Sequence, residues 1–212
     1  MNNSLLNKID HLVYNTTNIH QGIAMIEELT GVAPVIAGRH QGQGTWNALM
    51  SLGAGIYFEV IAPDPAQKDI QGPSWLNTIR QFPDNRLINW CVKTNDAPAL
   101  VNHARQHQIE LGEVVSGSRE KNDGSTLSWT LTDFKANSTS LLPFFIDWGD
   151  SEHPSGSLPD GCSLINLEII HPEPEDLKKD LENLDLPIKV SAGNERRLLA
   201  RLNTPKGEVV LL

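Results

Sequence analysis

The chain has 212 residues, 39% of them hydrophobic and 20% charged, a composition that fits one large globular domain or two small ones and excludes a disordered or fibrous chain. A formal charge of −9, from 26 acidic and 17 basic residues, with no Lys/Arg run longer than two, argues against nucleic acid or an anionic lipid surface as partner. Residues 1–8 carry no basic region followed by an apolar stretch, and nowhere do eighteen apolar residues run together, so the expectation is a cytoplasmic protein with no membrane contact. Cys91 and Cys162 lie in apolar stretches without CxxC or Cys/His spacing and read as buried thiols.

One pattern occurs three times along the chain. Ile9-Asp10-His11-Leu12-Val13-Tyr14-Asn15-Thr16 lies over Leu87-Ile88-Asn89-Trp90-Cys91-Val92-Lys93-Thr94, with a weaker echo in Leu164-Ile165-Asn166-Leu167-Glu168-Ile169-Ile170-His171. His11, Asn89 and Asn166 take equivalent places, and the nearly constant interval between them is far longer than a solenoid repeat.

Each start reads as a strand, followed by a polar break and a helical stretch. In the first copy Thr17 or Asn18 caps the helix, Ile19, Ile23, Ile26 and Leu29 form its apolar stripe, and Gly31 ends it. In the second, Asn95 or Asp96 caps and Leu100, Val101 and Ala104 face inward. The third helix opens on Glu173-Pro174-Glu175-Asp176 and buries Leu177, Leu181 and Leu184. Three strands follow each helix: about 34–39, 46–52 and 55–62, then 113–118, 126–132 and 142–148, then 188–191, 196–202 and 208–212. The unit is βαβββ, and the modules span 8–62, 86–148 and 162–212 of a single domain, 1–212. Their connections, 63–85 and 149–161, are rich in Pro, Gly and Asp, and Trp75, Leu76 and Ile79 fit a short helix inside the first.

Glu59 stands out within its module. Tyr57 and Ile61 share its face of the strand, and Ile56, Phe58 and Val60 take the other, so the strand is apolar on both faces. A carboxylate buried there costs several kcal/mol unless a proton, cation or donor compensates. Arg39 and Arg119 end comparable strands and could bind an anionic substrate through paired donors. Trp46, Trp90, Trp129 and Trp148 fit a core or the wall of an apolar pocket. Asp147 fits a pairing with His153 or a helix end, and His153 and His171 precede prolines at rigid corners. No phosphate-binding glycine loop or nucleophile elbow is present, so no nucleotide cofactor is expected.

The tandem βαβββ unit, opening on Ile-Asp-His-Leu and closing on Tyr-Phe-Glu-Val, resembles the vicinal oxygen chelate superfamily, which includes glyoxalase I and the extradiol dioxygenases. Gly38-Arg39-His40, Gly44-Thr45-Trp46-Asn47-Ala48-Leu49, Tyr57 to Pro63, and Leu142 to Trp148 with His153-Pro154 are similar to its glyoxalase-like domain branch, over about residues 8–155. The resemblance implies an α+β fold of the glyoxalase/bleomycin resistance/dihydroxybiphenyl dioxygenase type, two modules paired and a diverged third. It also implies one divalent metal, Zn, Mn, Ni or Fe, held by residues of the first and fourth strands of each module, with His11 and Glu59 as the first pair. At the equivalents in module two stand Asn89 and Phe145, with Asp147 two residues on, and in module three Asn166 and Leu211, so the set is incomplete. An extradiol dioxygenase needs a second His, for which Asn89 is no source. His40 lies on a neighbouring strand and could supply another nitrogen.

The implied function is an enzyme of lyase or isomerase type acting on a small carbonyl or hydroxy compound beside His11 and Glu59. Glu59 is its base or metal ligand, and His11 its ligand or polariser. His40, Trp46, Asn47, Asn89, Arg119, Trp129 and Phe145 would bind the substrate. The alternative is a non-catalytic protein that sequesters a small molecule over a degenerate metal site. A homodimer is the expected assembly.

Overall fold

The computed structural model describes residues 3–67, 70, 74–120, 126–133 and 141–212. Parts of the first connection and of the second module, at 68–69, 71–73, 121–125 and 134–140, lie outside the described residues. After a short helix α1 (Asn3–Leu6), the first unit runs β1 (Ile9–Asn15), α2 (Ile19–Thr30), β2 (Val35–His40), β3 (Thr45–Ser51) and β4 (Tyr57–Pro63). A short helix α3 (Trp75–Ile79) precedes the second unit, β5 (Arg86–Lys93), α4 (Ala97–Gln106), β6 (Val114–Glu120), β7 (Thr126–Thr132) and β8 (Phe144–Asp147). The third is β9 (Ser163–His171), α5 (Pro174–Asn183), β10 (Lys189–Ala192), β11 (Arg197–Thr204) and β12 (Gly207–Leu211). The fold is α+β, and among the described residues no helix is long and apolar enough to cross a membrane.

Local chemistry explains the helices. Asn18 caps α2 by accepting from the backbone N–H of His20 and Gln21, and Gly31 closes it at φ 82°. Asp96 does the same for α4 through Ala99 N–H. One expectation for α2 is corrected: its buried face is Ile19, Gly22, Ile26 and Thr30, while Leu29 is exposed. Gly22 belongs on that face because a Cβ there would meet Thr16 and Val60 at under 3 Å.

The first two units join in one eight-stranded sheet, in the order β2-β3-β4-β1-β5-β8-β7-β6. The strand order reads the same from either end: β1 runs parallel to β4, β5 runs parallel to β8, and the antiparallel pair β1/β5 is the seam. The two end strands, β2 and β6, approach each other, so the sheet curls nearly closed. The third unit keeps the order of elements but not the pairing. Its four-stranded sheet runs β10-β9-β11-β12, with β9 in the interior. Leu164, Leu167, Ile169, Leu198, Ala200 and Leu202 bury one face of that sheet in the main core, which also holds Trp90, Phe58 and Phe145.

Candidate functional site

The curled sheet encloses a cavity of about 340 Å³, at the lower end of the size that takes a small-molecule ligand. Its lining draws on both paired units. His11, His40, Asn47, Tyr57 and Glu59 come from β1 to β4, and Arg119, Trp129, Phe144 and Ile146 from β6 to β8. Trp75 of α3 and Trp148, just beyond β8, complete it.

Strand alternation places Asn47 and Leu49 of β3 and Tyr57 and Glu59 of β4 on the concave face. Asp10 and His11 are adjacent on β1, so alternation alone would send them to opposite faces. A bulge prevents this: Ile9 pairs with Val92 and His11 with Cys91, leaving Asp10 as the extra residue. The buried Asp10 carboxylate therefore reaches the His11 ring, Oδ1 to Nδ1 2.7 Å. Its Oδ2 accepts from Trp148 Nε1 at 3.0 Å and lies 3.1 Å from His153 Nε2. Burial pushes the Asp10 carboxyl up, but the hydrogen bonds from His11 and His153 outweigh it and hold the group well below the usual carboxylate range. An ionised Asp10 only accepts, so His11 donates to it through Nδ1 and turns Nε2 to the cavity.

That Nε2 stands 3.6 Å from Glu59 Oε2. The other carboxylate oxygen, Oε1, accepts from the Asn47 amide at 2.8 Å and lies 3.8 Å from His40 Nε2. His40 bonds Thr45 Oγ1 through Nδ1 at 2.8 Å and accepts from the same Asn47 amide through Nε2 at 3.3 Å. Burial pushes the His40 imidazole down, which keeps it neutral. The loop after His40 is braced from β4. Arg39 pairs with the buried Asp64, Gln67 donates to Asp64 at 2.8 Å and to His40 O at 3.3 Å, and Gln67 Oε1 accepts from Gly42 N–H.

Two imidazole nitrogens and one carboxylate thus converge in the cavity. The second imidazole is His40, which the sequence offered as another nitrogen, and not a residue at the place of Asn89. Imidazole and carboxylate are donor types that Zn, Mn, Ni and Fe take, and among the described residues the buried Asn47 Oδ1 beside them has no partner. The Asn47 N–H group stands between Glu59 and His40. Asp10, His11 and Cys91 also bring ligand atoms within 4.8 Å of one another. There both Asp10 oxygens already accept hydrogen bonds. The His11, Glu59 and His40 set faces the cavity, but among the described residues only Asp10, His11 and Cys91 bring their ligand atoms within 4.8 Å of one another.

Rings form the rest of the wall. His11 stacks on Tyr57 at 4.4 Å and meets Phe144 edge-on at 5.3 Å, and Trp75 bridges Phe144 and His40 at 6.0 and 5.9 Å. On the other side Tyr57, His153, Trp148 and Trp129 follow one another at 5.5 to 5.7 Å. Arg119 lines the same space and, among the described residues, makes no hydrogen bond or ion pair. Burial lowers its guanidinium pKa, against the pull of Tyr57 and Glu59.

Of the residues singled out from the sequence, His11, Glu59, His40, Asn47, Arg119 and Trp129 meet in the cavity. Three do not. Trp46 lies on the opposite face of β3, edge-on to His20 of α2 and under Arg39. Asn89 is buried and turns its Oδ1 back to Trp90 N–H. Phe145 is in the core, and its neighbour Phe144 faces the cavity, because β8 is apolar on both faces and a one-residue slip exchanges them. On β8 it is Phe144 and Ile146 that line the cavity, as Tyr57 and Glu59 do on β4. Asp147 accepts from Gly149 N–H rather than pairing with His153. Asp10, Tyr57, Trp75 and His153 were not among the expected site residues. The bulge that aims Asp10 leaves no mark in the composition.

A family model described as a glyoxalase-like domain matches residues 9–184. No curated protein matches the chain. Among solved structures, a hypothetical protein from Staphylococcus aureus is similar at 16% identity and a TM-score of 0.65, over 90% of this chain and 88% of that one. A methylmalonyl-CoA epimerase from Mycobacterium tuberculosis is similar at 14% identity and a TM-score of 0.45, over 67% of this chain and 88% of that one. A Streptomyces coelicolor methylmalonyl-CoA epimerase in complex with 2-nitronate-propionyl-CoA gives 15% identity and a TM-score of 0.45, over 69% of this chain and 98% of that one.

Proposed function

Because the chain belongs to the glyoxalase-like domain family of the vicinal oxygen chelate superfamily, we propose that it is an enzyme of isomerase or lyase type. It moves a proton at a carbon next to the carbonyl or hydroxyl group of a small substrate held between the two paired units. The observation that carries this reading is the state of Glu59. It is the one carboxylate lining the cavity among the described residues, its Oε1 is fixed by Asn47, and its Oε2 accepts no hydrogen bond.

Oε2 is therefore the atom that takes the proton from carbon. His11, with Nδ1 held by Asp10, accepts or returns a proton at the substrate oxygen through Nε2, and the buried Asp10 charge stabilises the imidazolium that forms. Arg119 holds an anionic group of the substrate, and the rings around the cavity exclude water. Were a divalent cation bound instead, His11 Nε2 and Glu59 would be ligands in place of proton carriers, and the cation would supply Lewis-acid stabilisation of a developing oxyanion.

The test is solvent deuterium uptake. The protein is incubated in D2O with a panel of 2-oxo and 2-hydroxy acids and aldehydes, with and without Zn, Mn, Ni or Fe, and the carbon-bound protons are followed by NMR. Uptake into a member of the panel at a rate far above the protein-free control supports the reading. Binding of a panel member with no uptake under any metal condition overturns it in favour of a non-catalytic binding protein.

A further inference from the structure

Two features of the cavity have no part in moving a proton: the breadth of its aromatic wall and the seat made for one indole. Trp129 of β7 lies directly across from Gly117 of β6. A Cβ at Gly117 would stand 2.3 Å from Trp129 Nε1 and 2.5 Å from its Cε2. The missing side chain is what lets the indole lie flat against the β6 backbone, with Trp148 set 5.5 Å beyond it. Trp75 and Phe144 form a second ring pair at 6.0 Å in the same cavity. A wall of this kind presents π faces and ring edges in place of flexible alkyl groups, and planar rings pack against it in offset or edge-on geometry.

Arg119 follows Gly117 by two residues on β6, on the same face, and lines the cavity with no partner among the described residues. A half-buried guanidinium is a fork of donors without an acceptor, and a carboxylate satisfies it in bidentate geometry. The indole seat and the free fork thus stand side by side.

We infer that the substrate is an aromatic acid: a planar ring held against Trp129 and its neighbouring rings, and a carboxylate held by Arg119. This ligand class rests on the proton-transfer reading only in sharing its site. The carboxylate fixes one end at Arg119, in the cavity that His11 and Glu59 also line.

Three probes separate the contributions, with binding read by calorimetry and by quenching of tryptophan fluorescence: phenylpyruvate, pyruvate, which lacks the ring, and phenylacetone, which lacks the acid. Phenylpyruvate is expected to bind at least about tenfold more tightly than either. Arg119→Gln is expected to remove most of its advantage over phenylacetone, Arg119→Lys to restore part of it, and Gly117→Ala to weaken both ring-bearing probes while sparing pyruvate. Near-ultraviolet circular dichroism of each variant shows whether the fold is intact. Equal affinity for pyruvate and phenylpyruvate overturns the inference, as does an Arg119→Gln variant that is folded and binds phenylpyruvate unchanged, or no binding of any probe. Deuterium uptake on the same samples keeps the two readings apart. Ring-selective, acid-selective binding without uptake defeats proton transfer alone, whereas uptake into pyruvate with no ring preference defeats the ligand class alone.

Discussion

The Asp10 carboxylate holds the His11 ring by Nδ1 at 2.7 Å although the two residues are neighbours on one strand, because the β1 bulge turns both to the same side. The consequence is a fixed tautomer. Long-range proton–nitrogen correlation spectra are expected to show His11 protonated on Nδ1 and bare on Nε2, and Asp10→Asn is expected to mix the tautomers. A wild-type His11 protonated on Nε2 alone would count against the role given to it.

Asn47 is the donor that makes a buried Glu59 tolerable. Asn47→Leu removes it at similar volume and is expected to destabilise the protein by about 1–3 kcal/mol in urea unfolding. Adding Glu59→Gln is expected to recover part of that loss, since the buried charge is then gone. Strictly additive effects of the two substitutions would show that the pair does not interact.

Asp64 sets an acid limb to stability. Burial raises its carboxyl pKa, but hydrogen bonds from Arg39, Gln67 and Ala66 N–H outweigh this and hold it below the ordinary value. Between that lowered folded value and about 3.9 in the unfolded chain, the unfolded state binds more protons, so stability rises with pH across this window. The contribution is complete above the unfolded value and is lost as pH falls through the folded one. Asp64→Asn is expected to lower the urea midpoint at pH 6 and to flatten its decline between pH 5 and 3. A decline as steep as that of the wild type would place the acid sensitivity elsewhere.

Trp46 and Phe145 test which faces line the cavity. Phe145→Ala is expected to cost about 3–5 kcal/mol of stability by opening the core. Trp46→Phe, on the α2 side of β3, is expected to leave ligand affinity unchanged. A clear loss of affinity in a folded Trp46→Phe variant would contradict the assignment of its face.

The three βαβββ segments were legible because strand composition, helix caps and turn residues act within a few positions of one another. The strand order of the third unit was not, since the same five elements satisfy their backbone in either pairing and only tertiary packing chooses. Glu59 was legible as a carboxylate on a strand apolar on both faces. Phe144 could not be told from Phe145 on such a strand, where alternation carries no signal. Trp46 and Asn47 presented the same choice, and the buried face of β3 went to the polar residue because Glu59 needs a donor there. His40 was visible as a candidate, but its direction depends on Thr45 and on the brace from Gln67, contacts that local sequence does not encode.

The central claim is that Glu59 Oε2 takes a proton from carbon, and the most direct measurement is the rate of solvent deuterium uptake by wild type and Glu59→Gln on one substrate at saturating concentration. The expected result is a fall of at least about a hundredfold with ligand affinity largely kept, as for removal of a general base. Uptake at the wild-type rate in Glu59→Gln would contradict it.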